Sequence, residues 1–261
     1  MIVRNGSDRG VTLIGQTEHS RLVGQVAAHW GNRDFDSPAP YESVVRAATF
    51  HDYGWLRYET SPRLNGETGE PFSLLQVPLN TPQLASYQWG LDWMSEIDPY
   101  AGMIVSMHRT GLWQNRYGTI EHPMGYNLKG PNAEIKAFID RNEARQKSAR
   151  AGIDDGKLST NYRLMQVWDL LGLYFCCQEP YEDFIDPVPT RYSGGEKSGV
   201  KLTLKPLGPR KVKLDPYPLD VKPCRIQLTF KTLEQTKFAS EGEFRKAYFR
   251  AGPALTEFEL V

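Results

Sequence analysis

Apolar residues recur at helical spacing through the first two thirds of the chain and alternate with polar ones in the last third. Leu22, Val23, Val26, Ala27 and Trp30 fall on one stripe of a helix that Gly31-Asn32 closes. VTLIGQ, just before it, reads as a short strand or extended entry. Val44, Val45, Ala47 and Ala48 mark a second amphipathic helix over 41–50, with Gly54 suited to its stop. The pattern predicts two further helices over about 83–96 and 100–112, and in the second Ala101, Ile104, Val105, His108 and Leu112 share a stripe. A polar helix over 133–149 carries only a thin apolar stripe and is expected at the periphery. The most apolar helix is predicted over 159–178, where Gln166 and Asp169 are the strongly polar residues between Leu164 and Cys177.

After Pro180 the composition changes. PYEDFIDPVPTRYSGGEKSG is linker-like, and VKLTLKPL, RKVKLD and CRIQLTF alternate as half-buried strands do. Ser240-Glu241-Gly242-Glu243 is a capping-box pattern opening a short helix, and ALTEFELV reads as a last strand. The expected organisation is a helical metal-binding domain over 1–183 and a β-rich extension over 184–261 packed on it. Residues 56–82 read as a long loop and a candidate lid.

Four polar residues interrupt the apolar helices: His19, the adjacent pair His51-Asp52, and Asp169. Burying even a neutral polar group without a partner costs roughly 2–7 kcal/mol, and one metal ion would satisfy all four. Mixed nitrogen and oxygen donors suit divalent manganese, iron, nickel, cobalt or magnesium better than a structural zinc. His108 shares an inward stripe, and the following Arg109 carries a guanidinium whose planar fork matches phosphate. Gln16 and Glu18 flank the first histidine as candidates to orient it. Tyr53 and Trp55 are candidate pocket walls.

The segments EHSRLV, ATFHDYG and VWDLLGLYF give the order H…HD…D, which resembles the HD-domain superfamily of metal-dependent phosphohydrolases over about residues 11–180. That resemblance, to a bacterial branch with a β-rich tail and no settled substrate, implies a mainly α fold: an HD-like helical bundle with a small C-terminal antiparallel β-rich extension. It makes His19, His51, Asp52 and Asp169 the metal ligands, with one or two divalent ions per chain, and gives His108 and Arg109 catalytic roles. His108 with His122 would form a second metal site. The implied activity is hydrolysis of a phosphoester, a nucleotide among the candidates. Many members carry a lysine after the glycine that follows the doublet, where this chain has Trp55. Two alternatives stay open: a di-iron oxygenase, for which His108 and His122 would be the sign, and a sensor module that keeps its metal for structure.

Composition narrows the partners. With 31 basic and 31 acidic residues the net charge is zero, which gives no support to binding of a nucleic acid polymer. The first residues lack the pattern of a signal peptide and no apolar run spans a bilayer, so a cytoplasmic protein acting on a small molecule is expected. Cys176, Cys177 and Cys224 form no paired framework and read as buried small hydrophobes.

Overall fold

The structure, a computed structural model, describes residues 1–5, 10–114, 132–196 and 198–261. Strands β1 (Ile2–Asn5), β2 (Val11–Ile14), β3 (Asp183–Val188), β4 (Val200–Gly208), β5 (Lys211–Asp215), β6 (Cys224–Leu233) and β7 (Ala254–Leu260) join in one sheet of order β1-β2-β6-β7-β5-β4-β3. Neighbours are antiparallel except β5 and β7, which run parallel. Alternation buries one face: Leu202 and Leu204 of β4, Val212 and Leu214 of β5, and Ile226 and Leu228 of β6 point inward between exposed neighbours.

The helices are α1 (Gln16–Ala28), α2 (Tyr41–Phe50), a short α3 (Leu56–Glu59), α4 (Thr81–Ile97), α5 (Pro99–Trp113), α6 (Ala133–Ala149), α7 (Asp155–Cys177) and α8 (Glu241–Arg250). Helix α1 packs on β6 of the sheet and on α2 and α7 of the helical layer, so it is the link between the two. Helix α7 is buried on nearly its whole circumference from Leu164 to Cys176 and touches α1, α2, α5, β1 and β3.

The expectation of a mainly α protein with a small antiparallel extension is corrected. About 50% of the described residues are helical and 20% are strand, and the sheet is mixed, which makes this a mixed α/β fold. The physical cause is β6. Its first residues, Cys224–Phe230, pair with β7, while its end, Lys231–Leu233, runs on to pair with Val11–Leu13 of β2. The short β1–β2 pair, too small to be stable alone, thereby gains a third strand. The sheet therefore draws strands from both sides of residue 183.

Asp98 ties the helical layer together at the α4–α5 corner. Its Oδ1 accepts the Tyr100 and Ala101 backbone N–H groups at 3.0 Å each, capping α5, and its other oxygen pairs with the Arg46 guanidinium of α2. Burial alone would raise its pKa, but the Ala101 N–H, Ser43 and Arg46 outweigh that and hold it below 3.8. A depressed carboxylate stabilises the fold above its unfolded pKa and loses that contribution as pH falls through its folded value. Asp98→Ala is therefore expected to lower stability by about 1–2 kcal/mol at pH 7, with the gap to wild type closing below about pH 4 in denaturant titrations at both pH values.

Candidate metal centre

Five ligand-type side chains converge where α1, α2, α5 and α7 meet. His19 lies one turn into α1, His51 caps the C-terminus of α2, Asp52 follows it before the turn at Tyr53–Trp55, His108 is on α5 and Asp169 is mid-way along α7. All five are buried. Because α2 ends at His51, the adjacent pair leaves the helix trajectory there and both side chains reach one point.

Donor atoms crowd together. His19 Nε2 lies 2.9 Å from Asp169 Oδ1, His51 Nε2 lies 3.4 Å from the same oxygen and 3.6 Å from Asp52 Oδ2. Donors about 2.1 Å from one ion stand about 3.0 Å apart at right angles and about 3.4 Å apart at a tetrahedral angle, so these spacings are close enough for one ion to be held among them. Two triads, His19 with His51 and Asp169, and His51 with Asp52 and His108, each keep a donor set within 4.8 Å, and they share His51.

The tautomer of His51 is set by its backbone. Its Nδ1–H donates to the Ala48 carbonyl at 2.9 Å, which leaves Nε2 as the lone-pair nitrogen; that nitrogen makes no hydrogen bond among the described residues. His19 Nδ1 is likewise without a partner among them. The rings of His51 and His19 meet edge to face at 5.4 Å, and those of His51 and His108 at 4.8 Å.

Charge is balanced tightly. Burial would raise the Asp169 carboxyl, but the hydrogen bond with His19, the close approach of the His51 ring and the nearby His108 hold it well below its usual range. Asp52 is also burdened by burial yet held low, by His51, Arg109, His108 and His19. His51 is held above 6.5 by Asp52 and Asp169 against the opposing effect of burial. His108 goes the other way: burial, with His51 and Arg109 adding to it, outweighs the two carboxylates and pushes its pKa down to about 3. It is a neutral imidazole.

Arg109, next to His108 on α5, pairs with Asp52 Oδ1 and stacks on Tyr87, its guanidinium carbon 4.4 Å from the ring centre. The guanidinium is thus already committed on one edge to a carboxylate. Gln16 lines the same cavity, whereas Glu18 pairs with Arg21 at 2.8 Å, turned outward. His29 sits at the surface against Asp220. His122 lies outside the described residues.

The centre opens into a cavity of about 100 Å³, room for several waters or a compact substrate group. Trp55, Tyr87, Leu112 and Trp113 line it together with Leu74, Leu75, Val77 and Leu79 of the 56–82 segment. Tyr53 instead stacks on Trp93 at 4.8 Å, away from the cavity.

Two supporting residues carry no signature in the sequence. Glu59, buried at the end of α3, accepts the Gln16 and Thr17 backbone N–H groups and, at 2.6 Å, the Thr17 hydroxyl, so it caps the helix that carries His19. Gly172, one turn beyond Asp169, lets α7 meet α1: a Cβ there would stand 2.4 Å from Val23 Cγ2 and 2.7 Å from His19 Cε1. The His19 ring rests on that glycine.

The fold and this centre define a mixed α/β protein built around a buried histidine–aspartate cluster. The family described as "Protein of unknown function (DUF3891)" matches residues 1–235, and the chain belongs to it. No curated protein and no solved structure matches the chain. The resemblance to the HD-domain superfamily is thereby corrected: the family that matches is a different one, and a helical layer against a seven-stranded mixed sheet is not evidently an HD fold. The H…HD…D order here belongs to four residues that meet at a helix junction, an arrangement that does not require that ancestry.

Gly172→Ala tests the contact under His19. A methyl group there must displace the imidazole or Val23, so overpacking should cost about 1–3 kcal/mol, set against about 1 kcal/mol gained in helix propensity. Divalent-metal affinity, read by calorimetric titration, should fall at least about tenfold while the far-ultraviolet spectrum is retained.

Proposed function

We propose that this chain is a metal-dependent hydrolase of a small phosphoester, using one divalent ion held by His19, His51, Asp52 and Asp169. The observation that carries the reading is the convergence of His19 Nε2, His51 Nε2, Asp52 Oδ2 and Asp169 Oδ1 at ligand-to-ligand spacings, with the His51 lone pair turned inward by Ala48. His51 has one lone pair to give, so the two triads that share it cannot each hold an ion through it. When bound, that ion would supply Lewis-acid polarisation of a phosphoryl oxygen.

The protein's own groups favour an anion once the ion is present. Two carboxylates and one guanidinium leave the cluster with one net negative charge, which a divalent cation turns to one net positive. Arg109 fixes Asp52 through Oδ1 and keeps Oδ2 directed at His51. A base with a pKa near 3 takes protons poorly at neutral pH, so His108 serves as a neutral imidazole that orients substrate. Apolar residues of the 56–82 segment exclude bulk water.

A second reading, an iron oxygenase, draws on the three imidazoles and the apolar wall of Leu74, Val77, Leu79 and Leu112. Elemental analysis with absorption spectroscopy separates the two. One redox-silent ion per chain, with turnover in a screen of phosphoesters, is the expected result; two irons with a visible band and no phosphoester turnover would replace it.

Protonation competes with the ion, and the sign follows from the His51 shift. Its raised pKa stabilises the metal-free fold at low pH and that contribution is lost as pH rises through the folded value; over the same range the nitrogen becomes free to ligate. The rise in melting temperature on adding manganese should therefore grow from pH 6 to pH 8. Asp169→Asn, which keeps volume and removes the charged donor, should abolish most of that rise at pH 8; an undiminished rise would remove Asp169 from the ligand set. His108→Ala should keep the ion and lose most turnover.

A further inference from the structure

The cavity beside the cluster is lined by residues with polar atoms that no described residue satisfies. Gln16 is 1% exposed, lines the cavity, and neither its Oε1 nor its Nε2 has a hydrogen-bond partner among the described residues. Trp55 is 2% exposed, lines the same cavity, and its Nε1–H is also without one. Leaving a buried polar group unpaired costs about 1–3 kcal/mol, and a carboxamide brings both a donor and an acceptor that need pairing. Fold stability gives no reason to keep Gln16: the helix cap at this position is made by its backbone N–H to Glu59, which any residue but proline would supply. Gln16 and His19 stand three residues apart on one face of α1, and both line the cavity.

We propose that Gln16, assisted by the Trp55 N–H, is the specificity-determining residue of this site, and that it selects a phosphoester whose organic part carries a hydroxyl. The inference rests on the hydrolase reading for its phosphoester and on the cavity geometry for the rest. The donors, Gln16 Nε2–H and Trp55 Nε1–H, pair with acceptor oxygens of the substrate. Gln16 Oε1 accepts only, so it takes a donor from the substrate, which in a small phosphoester is a hydroxyl. A bare anion has no such donor and leaves Oε1 to water. The cavity, at about 100 Å³ and walled by Leu74, Leu112 and Trp113, confines the hydroxylated part to a compact group of the size of a short polyol, not an oligomer. Sites built to hydrogen-bond a hydroxyl reject the analogue that lacks it far more strongly than apolar pockets reject a missing methylene.

Binding, rather than turnover, is the decisive readout. Glycerol 3-phosphate and propyl phosphate match in length and differ in hydroxyls, and each is titrated calorimetrically into the metal-loaded protein and its Gln16→Leu and Gln16→Met variants. Wild type should prefer glycerol 3-phosphate by about tenfold or more, and both variants should bring the two within about twofold of each other. Melting of the metal-loaded proteins is the second measurement. If the carboxamide is kept for substrate, both apolar variants hold or raise the melting temperature. A fall in both would make Gln16 a structural residue and overturn the proposal, as would equal binding of the two esters, or binding of neither, by wild type. A preference without turnover would retain the role of Gln16 and remove the hydrolase; turnover without preference would do the reverse.

Discussion

The Asp169 carboxylate is the point on which the rest of the centre depends. It is buried in the middle of the most apolar helix of the chain, where a lone charge costs several kcal/mol. Two imidazoles from different helices meet its Oδ1, His19 at 2.9 Å and His51 at 3.4 Å. Neither histidine reaches it unless α1 and α2 both pack against α7. The pairing therefore fixes the junction of three helices as well as the chemistry at its centre. Helix α1 also lies on β6, so the sheet is locked to the same point.

Precision at that junction comes from groups outside the histidine–aspartate cluster. The Ala48 carbonyl orients His51, the Glu59 carboxylate caps the helix carrying His19, and the bare Cα of Gly172 lets the His19 ring seat between α1 and α7. Each sits one residue layer behind a donor and acts by position: an outer partner sets the tautomer and ring orientation that a ligand must have. Glu59 shows the cost of such a device. Burial keeps its carboxyl above the usual range even though it accepts hydrogen bonds from Thr17 and Gln16.

The helices and the four-residue cluster were legible in the sequence because both rest on local pattern. His19 and Asp169 stand out as polar residues on apolar stripes, and α1, α2, α4, α5, α6 and α7 follow the 3.6-residue period closely. The sheet was half legible. Strands β4, β5, β6 and β7 alternate cleanly, whereas β1 is four residues long and β3 lies in a stretch rich in proline and acidic residues that reads as a linker. Pairing between β2 and β6 joins residues more than two hundred positions apart, and no local pattern encodes it. That is why the fold read as helical with an appendage. The same limit hid Glu59 and Gly172, whose roles exist only across α1.

Arg109 shows how a correct placement can carry a different task from the one its chemistry suggests. A guanidinium next to a cluster of ligands invites a phosphate contact, and the residue does line the cavity. Its strongest commitment, however, is to Asp52 Oδ1, with Tyr87 beneath its plane. A carboxylate has two oxygens, and this pairing divides them: Oδ1 to the arginine, Oδ2 toward His51 and the other donors. Without the arginine, Asp52 would be free to rotate and to bring a second uncompensated charge beside Asp169. The guanidinium thus makes it tolerable to bury two carboxylates side by side, and its edge toward Asp52 is spent on that task before any anion could meet it.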